Sequence, residues 1–162
     1  MNIHPPLHIE ESCLFCNIAA KNEPSVVVHE DDDCLAFMDI YPLGKGHVLV
    51  VPKQHATRLE ELGNSTQGHL FDIANKIIEA QRKAGFGQEG TNLLINDGKA
   101  ANQTIPHVHI HLIPRKSGDL IQSIVRLAMH LSGFFGFRTD TQTLQKQARG
   151  IKKELYSGEE DD

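Results

Sequence analysis

Three histidines alternate with aliphatic residues in the run PHVHIHLIP at residues 106–114, which constrains the fold more than any other part of the chain. Side chains of a β-strand point alternately to opposite faces, so His107, His109 and His111 are predicted to share one face of a strand. The aliphatic residues between them share the other face, which belongs in a hydrophobic core. Burial does not require a row of imidazoles, and the run therefore predicts a strand that carries chemistry.

The spacing of the three histidines limits what they can do together. Two residues along a strand cover roughly 7 Å, so His107 and His111 are expected to lie roughly 13 Å apart at their backbones. The outer two histidines cannot easily ligate one metal ion, whereas neighbouring pairs can. Each imidazole is also able to act as nucleophile, acid or base near neutral pH.

The composition is that of an ordinary globular domain. The chain has 162 residues, of which 40% are hydrophobic and 23% are charged, enough for one domain with a substantial core. No apolar run approaches the roughly 18 residues that span a bilayer, and the first six residues lack the charged and apolar regions of a signal peptide. We therefore expect a cytoplasmic protein without a membrane partner.

Charge and cysteine content exclude two further classes. The formal net charge is −5 and the chain ends in the acidic run EEDD, which argues against nucleic-acid binding but leaves a local site for a small anion open. Three cysteines without an export signal do not indicate a disulfide framework, so Cys13 and Cys16 are interpreted as metal or redox residues. Cys34 lies in an apolar run and is predicted to be a packed core thiol.

The pattern of elements predicts an α+β fold. A helix is expected from a cap at Ser65 or Thr66 to about residue 84, followed by Gly85 in a left-handed C-terminal cap. Short connections favour an antiparallel sheet of about five strands, with this one main helix packed on it. The predicted strands cover residues 26–29, 34–38, 47–52, 91–95 and 107–114.

The sequence strongly resembles the histidine triad (HIT) family of nucleotide hydrolases and transferases. The family motif, His-φ-His-φ-His-φ-φ with φ hydrophobic, is present without departure at residues 107–113. The resemblance covers approximately residues 13–116 and includes five ordered segments, which makes it highly specific. Besides the triad these are CLFC at 13–16, FMDI at 37–40, GHVLVVPKQH at 46–55, NDG at 96–98 and QT at 103–104.

The resemblance divides the chain into three parts. Residues 1–12 are expected to be a flexible N-terminal arm and residues 13–118 the HIT domain. Residues 119–162 are expected to be a C-terminal helical extension that packs on the domain or on a dimer partner. The extension carries a broad apolar stripe at residues 120–131, aromatic residues at 134–137 and a narrower stripe at Leu144, Ala148, Ile151 and Leu155.

The resemblance also implies nucleophilic catalysis at the α-phosphorus of a nucleotide. His109 is the implied nucleophile, which forms a covalent nucleotidyl-imidazole that water then hydrolyses. His111 is the implied partner of the phosphate or the leaving group, and His47 orients or supports the pair. The sequence contains no phosphate-binding glycine loop of the Walker or dinucleotide type, so these imidazoles and loop donors are expected to hold the phosphate.

Implied nucleotide contacts lie in several segments. Asp39 is expected to accept both ribose hydroxyl groups, a geometry that suits a carboxylate. Gln103 and Thr104 match the phosphate-contacting loop, and Asn96 matches another nucleotide contact. Four apolar residues are expected to line the base pocket, although ordinary turn and core roles remain open for them and for Asn96. They are Phe15, Ile18, Phe37 and Ile40.

Cys13 and Cys16, together with His55 and His107, resemble the closed zinc site of the cysteine-bearing, bacterial-type branch of the family. Two thiolates and two imidazoles form a tetrahedral structural zinc site without an open position. A pair of buried thiols without metal is the alternative.

The function that the resemblance implies is hydrolysis of a purine nucleotide derivative by a homodimeric enzyme. Both a nucleoside phosphoramidate and a dinucleoside polyphosphate remain open as substrates. Two alternatives are a nucleotide-binding or regulatory protein whose catalysis is vestigial and a metal-dependent oxidase or isomerase that uses His107 and His109 as ligands. The latter is disfavoured because Pro114, Arg115 and Lys116 follow the histidines where a ligating carboxylate would be expected.

Overall fold

The computed structural model describes residues 10–119, 124–125, 128 and 138–157. Within them, five strands form one antiparallel sheet in the order β1-β2-β3-β5-β4, which confirms the predicted α+β class. The strands are β1 (Val27–Glu30), β2 (Cys34–Met38), β3 (Val48–Pro52), β4 (Gly90–Leu94) and β5 (Ile110–Arg115). The helices are α1 (Leu14–Ala19), α2 (Asn64–Lys83) and α3 (Thr141–Leu155), and short 3₁₀ turns cover Leu59–Glu61 and Lys99–Ala101.

Each face of the central strands is buried against different helices. Ala36 and Val50 lie in a core with residues of α2 and α3, whereas Phe37 and Leu49 lie in a second core with residues of α1. Because successive strand residues point to opposite faces, a run of apolar residues fills both cores at once. All residues of β2 and β3 are accordingly buried.

The histidine strand is shorter than the alternation predicts. It begins at Ile110, not at His107, because the amides of His107 and Val108 form hydrogen bonds outside the sheet. The His107 amide donates to the carbonyl of Ile105, and the Val108 amide donates to the carbonyl of Ala56. The backbone nevertheless continues the alternation, since Val108 joins Ile110 in the core beneath α2.

Helix α2 begins one residue before the predicted capping residues. Gly63 is its N-cap and supplies no side chain, so the predicted cap at Ser65 or Thr66 was wrong. The C-terminal prediction was correct, because Gly85 adopts a φ of +89° immediately after the C-cap residue. In the described part of the chain, no helix is long and apolar enough to cross a membrane.

Helix α3 packs against α2 and the sheet. Leu144, Ala148 and Ile151 are buried in the same core as the residues of α2, as their spacing predicted. The side-chain oxygen of Gln147 accepts a hydrogen bond of 2.9 Å from the amide of Gly46, in the loop before β3. Most of the predicted apolar stripe at 120–131, all the aromatics at 134–137 and most of the N-terminal arm lie outside the described residues.

Asp31 joins three elements to the end of α3. Its Oδ2 accepts hydrogen bonds from Nε2 of His29, at 2.9 Å, and Nε2 of His69, at 2.8 Å. Its Oδ1 accepts from the amides of Asp33 and Cys34, and the Tyr156 hydroxyl donates to Nδ1 of His29 at 2.9 Å. Burial alone would raise the pKa of Asp31, but the hydrogen bonds outweigh it and hold the pKa well below its usual range.

We expect Asp31→Asn to lower the free energy of unfolding at neutral pH by about 1–3 kcal/mol, because an amide replaces the charged acceptor of the two histidines. Urea denaturation measures this change, and Asp32→Asn on the exposed neighbouring position is the matched control. The folded-state pKa lies below the unfolded value, so this stabilisation is present at neutral pH and is lost as acid protonates the folded carboxyl group. A difference between wild type and Asp31→Asn that persisted undiminished into strong acid would contradict this assignment.

Candidate active site

A cavity of about 460 Å³ lies between α1, the end of β2 and the histidine segment. Its wall is mostly apolar, with a smaller number of polar side chains. The apolar residues include Leu14, Phe15, Ile18, Phe37, Ile40, Leu49 and Ile105. The polar residues include Asp39, Thr104, His109 and His111.

The hydrogen bonding of His109 fixes which of its nitrogens carries the proton. Nδ1 of His109 lies 2.6 Å from the carbonyl oxygen of His107. A carbonyl oxygen can only accept, so Nδ1 must be protonated and Nε2 of the neutral ring must hold the lone pair. His109 lines the cavity and is only 4% exposed. In the neutral ring, Nε2 is therefore the nitrogen with the chemistry of a nucleophile.

A second hydrogen-bonded chain fixes the proton of His111. The Leu43 amide donates to Nδ1 of His47 at 3.1 Å, so the proton of neutral His47 is on Nε2. That nitrogen lies 3.0 Å from Nδ1 of His111 and donates to it. The remaining proton of neutral His111 is consequently on its own Nε2.

The loop that precedes β3 sets the position of His47. Gly46 has a φ of +80°, and a Cβ atom at this position would meet Phe86 at 2.8 Å. Its carbonyl accepts a hydrogen bond of 2.7 Å from Gln81 of α2, in addition to the bond from its amide to Gln147. The loop is thus held from both helices, which places the Leu43 amide against the ring of the buried His47.

Asp39 lies at the carboxyl end of β2, beside the histidines. It is 8% exposed, and its Oδ1 accepts a hydrogen bond of 2.8 Å from the Tyr41 amide. Its Oδ2 lies 3.6 Å from Nδ1 of His47. The carboxylate is therefore held at the cavity wall, where its oxygens can accept hydrogen bonds from a ligand.

Cys13, Cys16, His55 and His107 form a separate group whose ligand atoms all lie within 4.8 Å of one another. Sγ of Cys16 lies 3.2 Å from Nδ1 of His55 and 3.6 Å from Nδ1 of His107. Sγ of Cys13 lies 3.4 Å from Nδ1 of His107. In a tetrahedral zinc site, the known bond lengths place sulfur and nitrogen ligands about 3.5 Å apart, so these residues fit zinc.

The ring of His107 is oriented for this group. Its Nε2 lies 2.9 Å from the carbonyl oxygen of Pro52 and must donate to it, so the lone pair of the neutral ring is on Nδ1, facing the two thiols. Burial lowers the pKa of His107 to about 4, which keeps the ring neutral, and burial raises the pKa of Cys16 to about 11. A cation is therefore needed to stabilise the Cys16 thiolate near neutral pH.

Helix α1 connects the cysteine group to the cavity. Cys13 and Cys16 lie on it or at its start, and Phe15 between them packs edge-to-face on His109, with ring centroids 5.2 Å apart. Phe15 also packs on His107 and on Phe37. The side of α1 that carries the cysteines and the wall of the cavity are thus one packed unit.

The structure brings together most of the residues that the sequence singles out. Phe15, Ile18, Phe37, Asp39, Ile40, Thr104, His109 and His111 all line the cavity, and His47 lies behind His111. Asn96 and Gln103 are not among its described lining residues. Both polar atoms of the Gln103 side-chain amide are used within the protein. Its oxygen accepts a hydrogen bond from the Gly98 amide, and its nitrogen donates one to the Thr57 carbonyl.

Other features were not expected from the sequence. Arg138, in the C-terminal extension, lines the cavity, as do Leu14, Tyr41 and Ile105. Leu14 lies within the CLFC segment at 13–16, and Ile105 follows the QT segment at 103–104. These positions are a signal that could have identified both residues, whereas nothing in the sequence near Arg138 indicates a site. The described metal-ligand groups never contain both His107 and His109, which disfavours the oxidase or isomerase interpretation.

Comparison with known proteins adds a family and named relatives. The family described as HIT domain matches residues 20–118. The adenosine 5′-monophosphoramidase hnt1 of Schizosaccharomyces pombe is 39% identical over 108 residues, which cover 67% of this chain and 77% of the yeast protein. The adenylylsulfatase HINT3 of Arabidopsis thaliana is 38% identical over 126 residues, which cover 75% of this chain and 61% of the plant protein.

A solved structure is similar over a larger part of the chain. The Zn-bound histidine triad family protein from Mycobacterium smegmatis has a TM-score of 0.73 and 31% sequence identity, and the match covers 93% of this chain and 98% of that chain. This coverage extends well beyond residues 20–118, so the similarity includes residues outside the matched domain.

Proposed function

The chain belongs to the HIT domain family, and we propose that it hydrolyses purine nucleotide derivatives at the α-phosphate through a nucleotidyl-His109 intermediate. The hydrogen bond between Nδ1 of His109 and the His107 carbonyl carries the proposal, because it puts the lone pair of the neutral ring on Nε2 of a residue that lines the cavity. The activities named for the yeast and plant relatives support hydrolysis of adenosine monophosphate derivatives.

The first step forms a bond between Nε2 of His109 and the α-phosphorus, while the bond from phosphorus to the leaving atom breaks. The leaving group takes the electron pair and a proton from solvent, while the Nε2–H of His111 donates a hydrogen bond to it. The Nε2–H of His47 donates to Nδ1 of His111 and thereby keeps the proton of the His111 ring on the Nε2 atom that serves as this donor.

In the second step, water attacks the phosphorus and the bond to Nε2 of His109 breaks. The electron pair returns to Nε2, and the attacking water releases a proton to solvent, which balances the proton taken up in the first step and leaves both rings in their starting states. The products are a nucleoside monophosphate and the protonated leaving group. Asp39 would accept the ribose hydroxyls, while Phe15 and Phe37 offer an apolar surface to the purine.

His109→Ala should reduce kcat/KM by a factor on the order of 10⁴ or more, because the mutant lacks the nucleophile. The test uses an adenosine phosphoramidate and a diadenosine polyphosphate as substrates, with rapid acid-free quenching and mass spectrometry of the intact protein. Wild type should carry an added nucleotidyl mass during turnover. His69→Ala on α2, away from the cavity, is the matched control and should keep wild-type turnover. Unchanged turnover by His109→Ala would refute the mechanism.

We also propose that Cys13, Cys16, His55 and His107 bind one structural zinc ion. The fit of their separations to a tetrahedral site supports this, as does the zinc in the mycobacterial structure. Four protein ligands leave no open position, so the ion would act as a cross-link between α1, the segment after β3 and the histidine segment. It supplies no reaction step.

Metal analysis of the purified protein should find one zinc per chain in wild type and in Cys34→Ala, whose thiol lies outside the group, but none in Cys16→Ser. Chelation should lower the stability of wild type by about 3 kcal/mol, the value expected when free metal exceeds the dissociation constant about 100-fold. The stability of Cys16→Ser should not respond to the chelator. Equal zinc in wild type and Cys16→Ser would exclude the site.

A homodimer is proposed from the edge of the sheet. Strand β4 is outermost, and its Leu93 and Leu94 are 45% and 36% exposed. An edge strand with exposed leucines has both unpaired backbone groups and an apolar surface, which a second copy of the chain can cover across a two-fold axis.

Leu93→Lys should convert a dimer of the wild-type chain to a monomer, because the two-fold axis would bring two buried charges together. Sedimentation equilibrium measures the mass. Phe71→Lys is the control, since Phe71 is a similarly exposed apolar residue, 41% accessible, on α2. A monomeric wild-type protein, or a Leu93→Lys variant that remains dimeric, would contradict the proposed interface.

A further inference from the structure

The C-terminal extension reaches the rim of the cavity. The Thr139 amide donates a hydrogen bond of 2.9 Å to the carbonyl of Ile40, the residue after Asp39. Asp140 then caps α3, because its side chain accepts a hydrogen bond of 2.9 Å from the Thr143 amide. The backbone that follows Arg138 is therefore fixed to the cavity rim through Thr139 and to the start of α3 through Asp140.

Arg138 contributes a positive charge to the wall of the cavity. The described lining residues include the carboxylates of Glu23 and Asp39, and Arg138 is the sole lysine or arginine among them. Within the described part of the chain, Arg138 has no ion pair or hydrogen bond through its side chain, which is exposed. Among the described lining residues, this guanidinium is the one that offers a positive charge to a substrate phosphate.

We infer that Arg138 binds a negatively charged leaving group of the substrate and thereby selects the substrate class. The inference rests on the proposed nucleotide hydrolase function. Both open substrate classes share a nucleoside and an α-phosphate, so contacts to those parts do not distinguish them. They differ in the leaving group, which is an amine in a phosphoramidate and an anion in an adenylyl sulfate or a dinucleoside polyphosphate.

The chemistry of the guanidinium supports selection for the anion. Its planar donors match the oxygens of a sulfate or phosphate group, and a charge-assisted pair is about twice as strong as a neutral hydrogen bond. An amine leaving group offers neither acceptor oxygens nor negative charge. Arg138 would therefore favour adenylyl sulfate and dinucleoside polyphosphates over phosphoramidates.

The test compares kcat/KM for adenosine phosphoramidate, adenylyl sulfate and diadenosine tetraphosphate in the full-length protein. Arg138→Ala should lower kcat/KM about 10-fold or more for the two substrates with anionic leaving groups and less than about threefold for the phosphoramidate. This is the effect expected when one charged contact is lost at a solvent-accessible site. Arg138→Lys should recover part of the loss. Arg149→Ala, which removes an exposed arginine of α3, is the control for net charge and should match wild type.

Each outcome separates the inference from the proposed function. If wild type cleaves none of the three substrates, the proposed function fails. If wild type cleaves them and His109→Ala does not, but Arg138→Ala loses activity equally with all three or with none, the function stands and the inference is wrong. Loss with only one of the two anions identifies whether sulfate or polyphosphate is the bound group.

Discussion

The hydrogen bond from Nδ1 of His109 to the His107 carbonyl determines which nitrogen of His109 holds the lone pair. Its 2.6 Å length and its acceptor, which has no proton to give, leave one arrangement of the neutral ring. That arrangement puts the lone pair on Nε2. The bond depends on where the backbone of His107 lies, and this backbone is held by the ring of the same residue.

His107 thereby couples the cysteine group to the candidate active site. One nitrogen of its buried ring bonds to the Pro52 carbonyl and the other faces the two thiols. A change in the cysteine group would shift the ring, and the carbonyl two bonds away from its side-chain attachment would move with it. The cysteine group lies apart from the cavity, but the orientation of the His109 ring depends on it through the backbone of His107.

The sequence allowed the central part of this arrangement to be predicted, because it depends on local periodicity. The alternation at residues 107–112 correctly placed Val108 and Ile110 in the core and the histidines on the other side. It failed at the strand start, where the Val108 amide bonds to Ala56 in a distant segment, a contact that periodicity does not encode. Gln103 and Arg138 show the same limit. The amide of Gln103 is used by backbone groups of its surroundings, and Arg138 reaches the cavity only because α3 packs on α2 and Thr139 bonds to Ile40.

The most direct measurement is nitrogen-15 NMR of the histidine side chains in the substrate-free protein, with His109 assigned from its absence in His109→Gln. The ring nitrogens of a neutral histidine differ strongly in chemical shift according to which of them is protonated. We predict that His109 is neutral, with its proton on Nδ1 and the lone pair on Nε2. A proton on Nε2 and a lone pair on Nδ1 would contradict this prediction, because Nε2, the proposed nucleophile, could then not attack phosphorus.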